Sequence, residues 1–330
     1  MVSRPESRRG QLILVGAIVI ATVIIGLTVL VNSVLYTETV GSESINNRIS
    51  DASQSDFEIR KGVRSLILRV NQDERNVTTA MVEGRTARNV ERYSRLLGEV
   101  QATARPVGVI VNYSNVSTLL GTRIVQEFDA EMSNHNGGAS WSPMPLSEPH
   151  KAIGWFTMNV NVKNTSQTQF AIEAENRSGD TLRLTFNKTV NSTIRINSNA
   201  SFLPTPNPTT ECDPSNNRVL VDVVTGTAFT GDCSFVGLDV MTGPDGDDSF
   251  NRLRFIDGNE QEGKFSIVFN RSTAPNATPT NLVPCAGASR ADSDPCWHPV
   301  VWRANVTAAV SGEDLSYTNQ YNITIYSKNR

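Results

Sequence analysis

The chain has 330 residues, 38% hydrophobic and 19% charged, with 30 Lys and Arg against 33 Asp and Glu for a net charge of −3. So mild an acidity excludes nucleic acid as a partner, because that class needs a basic face. The length suffices for one large domain or two ordinary ones.

The first element is an apolar run from Leu12 to Leu35, 24 residues long. A helix crosses the hydrocarbon core with roughly 20 apolar residues. Leu12–Val31 meets that without a charge, and Tyr36 follows as an aromatic anchor. Arg4, Arg8 and Arg9 precede the run, while Glu38 and Glu43 follow it. Positive-inside bias therefore predicts a single-pass protein of the cell membrane, its N-terminus cytoplasmic and its C-terminal domain extracellular. The run exceeds the h-region of a cleaved secretory signal and no A-x-A site follows, so the anchor is expected to stay.

Arg8-Arg9-Gly10-Gln11, opening the stretch RRGQLILVGAIVIA, resembles the class III signal of archaeal type IV pilins. It is similar to the N-termini of a haloarchaeal pilin-like membrane protein family of unassigned activity. The resemblance covers about the first 40 residues and implies prepilin-peptidase cleavage between Gly10 and Gln11. It also implies an assembly or anchor helix over Leu12–Leu35. Val15 stands where many such pilins carry Glu.

Beyond the span, Ile45, Ile49, Ala52, Asp56, Ile59, Val63, Leu66 and Val70 step by four and three, an a/d seam. Asn71 followed by Glu74 reads as a capping box opening a second helix. Val77, Ala80, Ala87, Val90, Tyr93, Leu97 and Val100 carry that helix until Pro106 stops it. The seam fits either a coiled-coil stalk or a helix pair lying on the following sheet.

After Pro106 the period changes to two. Phe156, Met158, Val160 and Val162 alternate with Thr157, Asn159, Asn161 and Lys163. The same alternation marks residues 109–113, 182–186, 194–196, 219–223, 265–269, 302–310 and 321–325. Such half-buried strands belong to antiparallel sheets. Ser133–Pro149, Leu203–Ser215 and Thr273–Pro299 read as loops.

The four cysteines are expected to pair locally, Cys212 with Cys233 and Cys285 with Cys296, since short loops close at less entropic cost. No C-x₂-C pair suggests zinc. Twelve N-x-[ST] sequons make Asn76, Asn112, Asn115, Asn164, Asn176, Asn187, Asn191, Asn199, Asn270, Asn276, Asn305 and Asn322 glycosylation candidates. Asn305 and Asn322 fall on the polar phase of their strands, where a glycan would project.

Gly243–Asp248 has carboxylates in a turn but not the calcium-loop register, so no metal and no cofactor is assigned. His135, His150 and His298 form no H-E-x-x-H, and G-x-S-x-G is absent. Trp141, Trp155, Trp297 and Trp302 read as core or rim packing.

The expected fold class is α+β: an N-terminal transmembrane helix, a juxtamembrane helical pair and an antiparallel β-rich extracytoplasmic domain, sandwich-like or pilin-like. The boundaries fall at 1–11 (basic cytoplasmic tail), 12–35 (span), 36–105 (helical) and 106–330 (β-rich). The expected function is non-enzymatic: a pilin-like or cell-envelope protein acting through protein–protein contacts. The expected partners are the lipid bilayer and other pilin-like subunits, or further copies of this chain through the helical region. The alternative is an anchored binding module for a glycan, a solute or a partner protein.

Overall fold

A computed structural model of the chain describes residues 53–73, 78–104, 107–143, 151–203, 208–241, 249–270, 282–286, 291–312 and 316–326. The expected span, 12–35, lies outside them, as do Gly10, Gln11 and the start of the a/d seam. Among the described residues no helix is long and apolar enough to cross a membrane. The chain divides into two compact units, Met1–Ile59 and Arg60–Arg330. In the first, residues 53–59 are described and helical, with Gln54 Nε2 donating to Glu58 Oε1 (2.8 Å) one turn on.

Helix α1 covers 53–71 and α2 covers Thr79–Ala104. Thirteen strands follow among the described residues. They are β1 (Val107–Glu131), β2 (Lys151–Asn161), β3 (Phe170–Asn176), β4 (Thr181–Lys188), β5 (Ile194–Ala200), β6 (Thr209–Cys212) and β7 (Arg218–Asp222). After these come β8 (Thr227–Ala228), β9 (Ser249–Ile256), β10 (Glu262–Phe269), β11 (Val283–Pro284), β12 (Cys296–Gly312) and β13 (Ser316–Thr324). Every pairing is antiparallel except β11 with β12. Among the described residues the protein is thus β-rich and antiparallel, with two α-helices.

Two layers of this sheet face each other. β2 joins them: Lys151 and Ala152 pair with β9, while residues further along pair with β10 and β7. Phe156, Met158 and Val160 of β2 and Phe265, Ile267 and Phe269 of β10 meet Phe170, Ile172, Leu182, Leu184 and Phe186 of β3 and β4. The period-two pattern of these strands buries one face and wets the other. Phe255 of β9 lies at the centre. Its ring meets Trp141 (5.2 Å) and Phe265 (5.2 Å) edge-on, and Phe170 (5.6 Å) likewise. Phe156 stacks on it at 6.0 Å. Such rings contribute packing energy beyond the area they bury.

The first half of β1 leaves this sandwich and pairs, from Val107 to Ser114, with the second half of β12, which in turn pairs with β13. One face of this three-stranded ladder is sealed, burying Val109, Val111, Ala304, Val306, Ala308, Val310, Tyr321 and Ile323. α2 packs along β1 and touches β12. Its buried line is Val82, Thr86 and Val90, while Ala80 and Ala87 are exposed. The helix therefore ends where expected, before Pro106, but opens later than expected and turns a slightly different stripe inward. Gly62 of α1 meets the Tyr93 ring of α2, and a Cβ there would sit 2.3 Å from the phenolic oxygen. A helix pair on a sheet is the arrangement adopted.

Two expectations need correction. Asn71 does not cap the second helix. It is the last residue of α1, and α2 opens at Thr79 with Thr78 Oγ1 accepting from Met81 N (3.2 Å). The stretches read as loops also hold strands: β6 lies within Leu203–Ser215, and β11 and the start of β12 lie within Thr273–Pro299. Cys212, Cys285 and Cys296 sit on or beside those strands, and the bridges are Cys212–Cys233 and Cys285–Cys296.

Candidate functional site

The helices do more than cover the ladder's apolar face; they also complete edge groups of β1 and β12. Val111 N of β1 points away from β12 and donates to Ser94 Oγ of α2 (2.7 Å). One turn on, a Cβ on Gly98 would lie 3.2 Å from the Val109 carbonyl, so a small residue lets α2 approach that edge. On β12, Asn71 occupies the gap between the end of β11 and the end of β13. Its Nδ2 donates to Val301 O (2.8 Å), and Val301 N donates back to its Oδ1 (2.9 Å). A fully buried carboxamide thus completes a backbone edge in place of a strand. Asn71 Nδ2 also reaches the Tyr326 hydroxyl (3.1 Å). Burial pushes that phenol up to about 12. Gly154 of β2 makes room here, since a Cβ would come within 2.6 Å of both Tyr326 and Trp302.

Beside this joint, Arg123 of β1 donates through Nε to Ser266 Oγ (3.0 Å) and through Nη1 to the Gln72 carbonyl (3.3 Å). Its Nη1 stands 3.5 Å from His298 Nε2. His298 is fully buried in β12. Desolvation, reinforced by the Arg123 charge, lowers its pKa to about 4. Its Nδ1–H faces the Pro299 carbonyl (3.3 Å), which leaves Nε2 to accept. A cavity of about 180 Å³ opens alongside, lined by Leu68, Arg123, Trp155, Thr157, Val268 and Tyr326. A larger cleft of about 770 Å³ separates α1 from α2, where Arg69, Arg85 and Arg92 gather and Arg85 pairs with Asp73 (2.7 Å).

The ladder's other face is mostly polar, and uncharged up to Arg303, with Ile110 exposed at one end. Register brings Asn112, Thr307 and Gln320 into one row, and Ser114, Asn305 and Asn322 into the next. A sequon on a strand puts its Asn and its Ser or Thr on the same side. Three sequons on neighbouring strands therefore share this face: Asn112–Ser114, Asn305–Thr307 and Asn322–Thr324. They are not equivalent. Asn112 and Asn322 are exposed, but Asn305 is 4% exposed. Its Nδ2 donates to Asn322 Oδ1 (2.9 Å), and its Oδ1 accepts from Gln320 Nε2 (2.9 Å). Asn305 lies on the polar phase as expected, but the middle strand encloses its amide between its neighbours.

Asn176 is likewise buried, donating to Asp180 Oδ2 (3.0 Å) and accepting from Asp180 N (2.9 Å) in the β3–β4 turn. It too is enclosed in the folded chain. Asn115, Asn164, Asn191 and Asn199 are exposed, and Asn187 and Asn270 are half-buried. Asn76 and Asn276 lie outside the described residues, as do His150 and Gly243–Asp248.

A groove of about 530 Å³ crosses the outer face of β4 and β5, lined by Gln169, Arg183, Thr185, Asn187, Arg195 and Asn197 among others. Asn197 Oδ1 is hidden there, with no hydrogen-bond partner among the described residues. His135 pairs with Asp294 (2.8 Å) at a loop. Among the described residues no group of His, Cys, Asp and Glu could hold a metal ion. The tryptophans pack: Trp141 donates to the Met132 carbonyl (2.9 Å) within the sandwich, and Trp302 lies against Tyr326 (5.7 Å). His298, read as a loop residue, belongs to strand β12.

Ser94, Gly98 and Arg123 were not singled out by sequence reasoning, and Asn71 was read only as a helix cap. Their sole sequence signal is a small or polar residue inside a helix or strand, which is commonplace. Comparison with protein-family models, with curated proteins and with solved structures found no match for this chain.

Proposed function

We propose that this protein is a membrane-anchored, extracytoplasmic, non-enzymatic component of the cell envelope, pilin-like, working through protein–protein contacts. The observation that carries the reading is the asymmetry of the β1–β12–β13 ladder. One face is sealed by apolar packing, and the other presents amides and hydroxyls with exposed sequon asparagines. A wall with one dry side and one hydrogen-bonding side suits lateral contact with neighbours or a glycan coat. The apolar run Leu12–Leu35 supplies the anchor, and the two disulfides fit an oxidising compartment.

Exposed Asn112, Asn115, Asn164, Asn191, Asn199 and Asn322 are the glycan acceptors on this reading. Intact-mass analysis of protein from washed membranes tests it, with reduction and deglycosylation as separate arms. A mature chain beginning at Gln11 or Met1, oxidised and cleavable by protease added to whole cells, is expected. A chain protected from that protease with four free thiols would overturn it.

A second reading has its own observation. The groove over β4 and β5, with arginines, amides and one unsatisfied amide oxygen, favours a binding module for a polar ligand such as a glycan. Saturable binding of an oligosaccharide, abolished by Asn197→Leu, would place it ahead.

A further inference from the structure

A sheet edge left open is a template for another strand, and proteins blunt such edges with brevity, charge, proline, bulges or covers. Nearly every edge described here is treated in one of these ways. β6 has four residues, including Glu211 and a disulfide cysteine. β8 has two residues. β11 has two, ending in Pro284. β1 is covered by Ser94, β12 by Asn71, and β9 by the bridge from Trp141 to Phe255. β13 is the exception. It has nine residues, SYTNQYNIT, with no charge and no proline, and it pairs in continuous register with β12. Among the described residues no strand pairs with its outer side.

Register also tells which backbone groups point outward. Because Val111 N faces α2, the even residues of β1 bond to the odd residues of β12, and the even residues of β12 bond to the odd residues of β13. The outward N–H and C=O groups therefore belong to Ser316, Thr318, Gln320, Asn322 and Thr324.

We propose that this edge pairs antiparallel with the same edge of a second copy of the chain, about a two-fold axis through Gln320. That register uses the whole strand and is self-complementary on both faces. On the polar face Gln320 meets Gln320, and Thr318 meets Asn322. On the sealed face Tyr317 meets Ile323, and Asn319 meets Tyr321. Aromatic–aliphatic and hydrogen-bonding pairs stabilise cross-strand contacts, and no like charges oppose each other. The seam is short, so pairing is weak in dilution and is favoured where copies are concentrated on a surface. The pairing excludes a glycan at Asn322, so within the proposed function the two compete for that residue, while the acceptors away from β13 leave the edge unaffected.

The test is cross-linking of the full-length chain in the producing cells. In a hydrogen-bonded antiparallel pair the Cα atoms stand about 5.5 Å apart, within disulfide reach. Gln320→Cys is expected to give a reducible species of twice the chain mass under mild oxidation. Thr318→Cys or Asn322→Cys alone should give about tenfold less, and cells carrying both variants should restore it. Gln320→Lys places like charges on the axis. With Ser316→Cys and Thr324→Cys chains as the cross-linking pair, Gln320→Lys should reduce the product about tenfold.

Gln320→Pro removes an outward N–H and spares the β12 ladder, so it should have the same effect while the monomer keeps its melting temperature. Peptide mapping of the cross-linked species should find Asn322 bare, since a glycan there would collide with the Thr318 side chain of the second copy. Uniform cross-linking at 318, 319, 320 and 322 would overturn the proposal. So would capture of a different polypeptide, or a product indifferent to both Gln320 variants.

Discussion

The sandwich and the ladder are built from the same strands by different means. In the sandwich, phenylalanines from both layers interlock around Phe255, and the edges end in short or bridged strands. In the ladder the buried residues are mostly Val and Ala, and edge groups of β1 and β12 are completed by helix side chains, Ser94 and Asn71. The first is stabilised by burying large rings. The second depends on a few polar contacts to distant residues, and its outermost strand stays open.

The largest effect should come from the sandwich. Phe255→Ala removes the ring that four others touch and is expected to cost about 3–5 kcal/mol in urea unfolding. Val90→Ala under the ladder should cost about 2 kcal/mol or less. Equal losses at the two sites would break the comparison.

Next is acid sensitivity at the joint. His298 has a folded pKa near 4, below the ordinary value of about 6.5. Below pH 6.5 the unfolded chain takes up a proton that the folded chain refuses. The stability held by neutral His298 is therefore complete above about pH 6.5 and is lost as the pH falls toward 4, about 3 kcal/mol in all. Unfolding free energy measured at pH 7 and pH 4 should show this loss, and His298→Gln should flatten it.

Asn71→Leu fills a similar volume but strands Val301 N–H and C=O, at about 1–3 kcal/mol. Hydrogen exchange should rise around Val301 of β12 and stay unchanged at Ile172 of β3. Uniform loosening would show that joint and sandwich form one cooperative unit. Smallest of all, Glu211→Gln breaks an exposed pair with Arg195 (2.5 Å) and should change stability by less than about 1 kcal/mol.

Strands with strong alternation were legible in the sequence. Phe156–Met158–Val160, Phe265–Ile267–Phe269 and Leu182–Leu184–Phe186 each turn one face inward as the period requires. β3 and β9 escaped notice because FAIEAEN and SFNRLRFI dilute their apolar positions with small or charged residues. Glu173 and Arg252 in these strands pair with each other across the outer face (3.1 Å), a partnership invisible in either segment alone. The short strands β6 and β11 carry Thr, Glu, Cys and Pro, which read as loop residues. Of the ladder's polar face, the sequons were visible as motifs, but not which of them stood in the open.

By itself, the sequence determined what is local or pairwise in separation. The charge-free apolar run, the two periods, the stop at Pro106 and the nearby cysteine partners all follow from spacing and composition. Only the tertiary structure decided how the edges are closed: Asn71 meets Val301, 230 residues away. It also decided that Asn305 is enclosed while Asn322 is not. Alternation fixes the side toward which a residue points, but the neighbour that waits there depends on strand order, which no short stretch of chain contains.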